Sequence, residues 1–377
     1  MVGWQVYERT GDPLALGLVG LSEALPFLSL ALFGGHVADR LNRLRICLAT
    51  TLSLAFCSAL LCLFSWRFQS GPLVKAVWPI YGIIFLTGVV RAFYRPANTA
   101  LATDLLPKVL YANGSTWRVA VFHAGMVIGP AIGGVVYAWR GPVAAHGLVM
   151  GLLLSGMLGL LFIRYAPTAL APRLGSVRAS LGEGLRFVFS QRILLGAISL
   201  DLFAVLFGGA VAVLPVFAKE VLHTGPQGLG ALRAAPAVGS VLMGLTMAHL
   251  PPLRQAGRTL LLCVAAFGVA MIAFALSRSF LLSLLLLAAS GAVDNVSVVL
   301  RATLLQTVTP AHMLGRVSSV NQVFIGSSNE IGAFESGLAA RLMGLVPSVV
   351  FGGCMTLLVV ALTTWKVPEL RRMDRIE

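Results

Sequence analysis

Four carboxylates lie where a carboxylate is costly to keep. Glu23, Asp201, Asp294 and Glu330 each fall eight to fourteen residues inside an apolar run long enough to cross hydrocarbon. A charge at that depth facing lipid costs about 2.5–3.5 kcal/mol on insertion scales, so all four are expected to face an interior cavity. A carboxylate in low dielectric takes up a proton more readily than one in water, which suits a group that carries protons across a membrane. The same positions suit permanent structural ion pairs. Arg91 and Arg95, four apart on one helix face, offer cations to such a carboxylate or to an anionic substrate group. Phe93, Tyr94, Phe203 and Phe207 on the same runs can wall a cavity for a bulky apolar ligand or face lipid. His123 reads as a hydrogen-bonded core residue, whereas Glu335, Arg118, Arg301 and Arg341 fall nearer span ends and are expected to snorkel.

The runs that position these residues dominate the chain. With 58% hydrophobic and 11% charged residues, the 377-residue chain lacks the polar surface to coat a soluble globule. It reads as an all-α polytopic membrane protein embedded in a lipid bilayer. Apolar runs predict eleven complete spans, at 14–37, 46–66, 77–102, 115–138, 142–163, 193–217, 229–250, 259–276, 280–304, 317–342 and 347–365. Met1 to Tyr7 is too short to span and reads as the tail of an incomplete first helix. The net charge of +14 would suggest nucleic acid in a soluble protein, but here the basic residues cluster between spans, so no nucleic-acid partner is expected. Sixteen Lys and Arg fall in loops on the side of the 38–45 loop against six on the other. That bias predicts a multi-pass protein of the cell membrane with a cytoplasmic C-terminus. The five cysteines lie in or beside spans without metal-ligand spacing and read as packing residues; no metal or cofactor is implied. No Walker sequence occurs, so the chain carries no ATPase of its own.

The polar break at 164–192 divides the chain into an N-terminal bundle (1–163), a linker (164–192), a C-terminal bundle (193–366) and a tail (367–377). The halves repeat weakly. Leu101, Pro107, Gly129 and Gly134 recur 203 positions later as Leu304, Pro310, Gly332 and Gly337, and Thr10-Gly11 matches Thr224-Gly225 at an offset of 214. Both matches run in the same direction, which predicts two parallel six-helix halves.

Two further stretches carry mechanism. In the first polar loop, Gly34 and Gly35 allow close helix approach, Asp39 suits a helix N-terminus, and Arg40 and Arg43 hold the loop at the membrane surface. Asp104, at the same end of the Arg91 helix, is expected to pair with Arg43 or Arg40 as a cytoplasmic gate. Asp39 is expected to face the N-terminus of the helix beginning near Val317. In the second stretch, Gly125, Gly129, Pro130, Gly133 and Gly134 place a small-residue face beside a proline, which suits a close-packed, bendable seam.

Gly35, Asp39, Arg40 and Arg43 resemble the G-x-x-x-D-R-x-x-R signature loop of the major facilitator superfamily, with Asn42 in place of the usual glycine. Gly125 to Gly134 resembles the G-x-x-x-G-P-x-x-G-G helix-five stretch of its antiporting exporters, with Thr116 departing from the earlier glycine. Arg91 to Ala97, Leu106-Pro107 and Asn113 resemble the multidrug, macrolide and siderophore exporter branch. The resemblance implies two parallel six-helix halves and a proton-coupled antiporter, working as a monomer, that exports bulky amphipathic small molecules by alternating access. A symporter or lysolipid transporter of the same fold is the nearest alternative. A polytopic membrane enzyme is disfavoured, because no span carries the clustered nucleophile and base that hydrolysis requires.

Overall fold

In a computed structural model, residues 1–67, 76–165, 177–249, 255–310 and 313–373 are described, apart from the side chains of residues 32, 39, 108, 112 and 177–181. The spanning helices among them meet one constraint: in hydrocarbon each backbone N–H and C=O must be satisfied within its own segment. The chain divides into two units, Met1–Leu174 and Gly175–Glu377.

The first unit holds α1 (Val2–Thr10), α2 (Pro13–Arg40), α3 (Arg43–Arg67), α4 (Trp78–Asp104) and α5 (Tyr111–Leu161). Asp12 caps α2 by accepting a hydrogen bond from the Leu14 amide at 2.9 Å, and Pro13 supplies the fixed φ of a first helical position. The second unit holds α6 (Val177–Ser190), α7 (Arg192–Gly208), the single turn α8 (Leu214–Val216), α9 (Pro226–His249), α10 (Ala256–Leu276), α11 (Phe280–Val308), α12 (Leu314–Met343), α13 (Leu345–Lys366) and the short α14 (Pro368–Arg371). Eight segments among the described residues are long and apolar enough to cross a membrane. Helices α4 and α12, 27 and 30 residues long, have the length but are interrupted by charged residues.

The repeat has a structural counterpart. Helix α5 breaks at Gly141 (φ 76°, ψ −175°), and α12 gives way to α13 at Gly344 (φ 91°, ψ 162°). Both conformations are closed to residues with a Cβ, and the two glycines are 203 positions apart. Close helix approach repeats as well. A Cβ on Gly88 would lie 2.4 Å from the Glu23 carbonyl oxygen, and one on Gly291 would lie 2.0 Å from that of Pro236. Gly88 and Gly291 are again 203 apart, whereas Glu23 and Pro236 are 213 apart.

Four expectations change. Gly35 opens on empty space, and the close approach belongs to Gly34, whose Cβ would sit 2.1 Å from the Ala92 carbonyl oxygen. A Cβ on Gly125 or Gly129 meets no atom within 4 Å, so this face forms no close seam inside its own unit. Only 6% of the most apolar stretch of α5 is buried, though Gly133 and Gly134 at its end do meet neighbours, a Cβ on Gly133 lying 3.4 Å from Met1. The 164–192 linker contains α6, which packs on α12 through Gly184 against Arg316, with Val188 buried beside Val317 and Val320. The tail is also integrated as far as Met373. Leu370 is fully buried in a cluster with residues of α7, α10 and α11, and the Gly257 amide donates to the Met373 carbonyl at 3.2 Å.

Candidate functional site

Helix α11 presents Asp294, Ser297 and Arg301 at spacings of three and four, which brings them to one face. That face meets Asp201 on α7. Arg301 forms an ion pair with Asp201, the two side chains being 12% and 10% exposed. Arg301 therefore does not snorkel, as its position near a span end suggested. On antiparallel neighbours, position ten of α7 and a position seven residues from the end of α11 reach similar depths, and the carboxylate captures the guanidinium.

Asp294 is the contrasting group. Its polar contact is Ser297, whose hydroxyl donates to the Asp294 carbonyl at 2.9 Å and approaches the carboxylate at 3.4 Å. No cation pairs with it among the described residues. Asp201 and Asp294 nevertheless line one cavity of about 10 Å³ with Ser297, Cys263 and Phe267, room for about one water molecule. Two carboxylates thus share a cavity, one neutralised by Arg301 and one not.

In the first unit, Arg91 on α4 pairs with Glu23 on α2. One turn along both helices, the Arg95 guanidinium stacks over the Phe27 ring at 5.0 Å from its centroid, so the two arginines make successive rungs rather than one anion site. Phe93 meets Phe33 edge to face at 6.0 Å, Phe203 stacks with Phe207 at 6.3 Å, and Tyr94 is half-buried. Glu330 is half-buried on α12. His123 lacks the expected hydrogen bond: its Nδ1 is buried without a partner among the described residues.

At the end of the first unit that carries the α2–α3 loop, Arg43 pairs with Asp104 at 2.5 Å, and its Nε–H donates to the Ala38 carbonyl at 3.4 Å. Arg40 is exposed. The Asp39 side chain lies outside the described residues. Tyr165 completes this cluster by donating its hydroxyl to Asp104 at 2.6 Å. Burial, with the hydrogen bond to Asp104 and the charge of Asp104 behind it, pushes the Tyr165 phenol up to about 12. No spacing in the sequence connects Tyr165 to Asp104; the 294, 297, 301 spacing did carry a signal for Arg301.

The profile of the Major Facilitator Superfamily matches residues 2–333. The chain belongs to this superfamily. Two curated relatives of this transporter align over nearly its full length. The multidrug efflux pump Tap of Mycolicibacterium fortuitum is 26% identical over 384 residues, covering 98% of this chain and 91% of Tap. The enterobactin exporter EntS of Escherichia coli O81 (strain ED1a) is 29% identical over 377 residues, covering 98% and 87%. Among solved structures, a bacterial homologue of the human lysosomal transporter Spinster, in an inward-facing and occupied conformation, superposes with a TM-score of 0.71 at 14% identity. It covers 99% of this chain and 96% of that one, and shares the fold. The superfamily transports rather than catalyses, and the chain is a multi-pass membrane transporter of small molecules.

Proposed function

We propose that this transporter is a proton-coupled antiporter that exports bulky amphipathic compounds by alternating access. Efflux is supported by the two exporters it resembles over nearly their whole length. The observation that carries the coupling is Asp294, a carboxylate inside a membrane span with no cation partner among the described residues, sharing a cavity with Asp201. Keeping such a group charged is costly, so it gains by taking up a proton. Asp201, about 12 Å into its span and within reach of a midplane cavity, is the first candidate from the sequence, but its pairing with Arg301 makes it a fixed charge, and Asp294 takes the coupling role. The loop charge bias supports a C-terminus on the cytoplasmic side, with Arg43, Asp104 and Tyr165 closing the cytoplasmic end of the first unit.

The test is transport in everted membrane vesicles with an imposed pH gradient, acid inside. Ethidium, rhodamine 6G and an iron-free catecholate siderophore serve as a panel of differing charge. Accumulation of at least one compound that collapses on adding nigericin supports the reading. Accumulation indifferent to the gradient, or accumulation driven only by the opposite gradient, contradicts it.

A further inference from the structure

The second unit gathers positive charge at the end where two of its exposed apolar faces run out. Helices α10 and α13 are close neighbours, since a Cβ on Gly268 would lie 3.1 Å from the Gly353 carbonyl oxygen. Each keeps one face off the core. On α10 that face carries Leu262, Ala266 and Val269, spaced four and three apart, and leads back to the exposed Arg258. On α13 it carries Leu358, Leu362 and Trp365, with the exposed Lys366 beside the tryptophan. The start of α10 touches the chain just past the end of α13 through Gly257 and Met373, so both stripes turn cationic at the same end. An apolar stripe that ends in an aromatic residue and then cations is the pattern of a span leaving hydrocarbon for the headgroup layer.

The short α14 adds to this end. Leu370 is fully buried, and a Cβ on Gly257 would lie 1.7 Å from its carbonyl oxygen, so only a glycine lets α14 lie this close to α10. The hydrogen bond from the Gly257 amide to the Met373 carbonyl makes Arg258 and Arg372 chain neighbours of a bonded pair. Arg371 and Arg372 are exposed, so the anchored helix adds two cations to Arg258 and Lys366. The carboxylate on α14, Glu369, lies 3.8 Å from Arg192 of α7. The adjoining stretches 250–254 and 374–377, outside the described residues, add two arginines and two carboxylates and leave the balance unchanged. Like charges gathered in this way repel one another, and a bound anion removes that cost.

We propose that Arg258, Lys366, Arg371 and Arg372 form a binding site for the phosphate headgroup of an anionic phospholipid, whose acyl chains lie along the exposed faces of α10 and α13. Charge complementarity selects the headgroup, and the two apolar stripes beside it select a lipid over a free anion. A lipid held there clamps α14 against α10 and α13 and stabilises the second unit. This site goes beyond the transport reading above and does not depend on proton coupling, so either can fail alone.

The experiment uses the full chain, purified and delipidated in detergent. Dioleoylphosphatidylglycerol is expected to raise Tm by about 3 °C or more above the value with the same amount of dioleoylphosphatidylcholine. Arg258→Gln combined with Arg371→Gln and Arg372→Gln is expected to lose most of that difference. Arg45→Gln combined with Arg67→Gln and Arg278→Gln, which removes exposed arginines elsewhere, is expected to keep it. Equal losses in the two combined variants, or no difference between the lipids in the parent, overturns the proposal. An equal rise with inorganic phosphate also overturns it, by assigning the cations to a free anion. Should the first combined variant fail to fold, Trp365 reports on the site, its emission isolated by subtracting the spectrum of Trp365→Phe. Brominated phosphatidylglycerol at about 20 mol% in phosphatidylcholine is expected to quench it about twofold more than brominated phosphatidylcholine at the same fraction. Equal quenching contradicts the site.

Discussion

Arg301 on α11 neutralises Asp201 on α7 inside the second unit, with both side chains nearly buried. Removing one partner of a buried pair strands the other charge, at a cost of about 3–5 kcal/mol, whereas removing both is far milder. Arg301→Met is therefore expected to lower thermal stability sharply, and Asp201→Asn combined with Arg301→Gln to recover most of the loss. Unfolding curves of the detergent-purified variants decide this. A double variant as unstable as Arg301→Met would show that the pair is not the source of the cost.

Glycines that touch a neighbouring carbonyl behave differently from those that do not. Gly88→Ala and Gly291→Ala place a methyl group 2.4 Å and 2.0 Å from carbonyl oxygens and are expected to cost about 1–3 kcal/mol each through forced helix separation. Gly125→Ala and Gly129→Ala meet no atom within 4 Å, and a stability change within about 0.5 kcal/mol is expected. Thermal unfolding of the four variants gives the comparison; equal losses at all four would contradict it.

Tyr165 ties stability to alkaline pH. Its phenol is raised from 10 to about 12, chiefly by burial and then by Asp104, so folding favours the neutral hydroxyl. A group raised on folding contributes its full share below its unfolded value and loses it as pH climbs through its folded value. The parent protein is therefore expected to lose stability between about pH 10 and 12 more steeply than Tyr165→Phe does. Melting temperatures across that range measure it, and parallel curves would remove Tyr165 from the account.

Much of this was legible in the chain because bilayers impose simple rules. Apolar run length marks the spans, the turn at Gly141 shows in its Gly-Pro pair, and the 203-residue repeat can be found by sliding one half on the other. The Arg43–Asp104 pairing follows from two charges at the same end of neighbouring spans. What escaped depends on which face of a helix meets which neighbour. Arg301 looks like a snorkelling residue until α7 is placed beside it. Gly125 and Gly129 look like a seam until their own unit is seen to put nothing opposite them. Tyr165 is four residues past the end of α5, and only the folded unit brings it to Asp104.

The central claim is that Asp294, and not the paired Asp201, carries the exchanged proton. The most direct measurement compares two modes of ethidium movement in proteoliposomes holding Asp294→Asn. One mode is uptake driven by a pH gradient; the other is exchange of labelled for unlabelled dye with no gradient. The amide keeps the size and the hydrogen bond to Ser297 but cannot titrate. Loss of gradient-driven uptake by tenfold or more, with exchange kept within about twofold, is the result this account predicts. Gradient-driven uptake at the parental rate would contradict it.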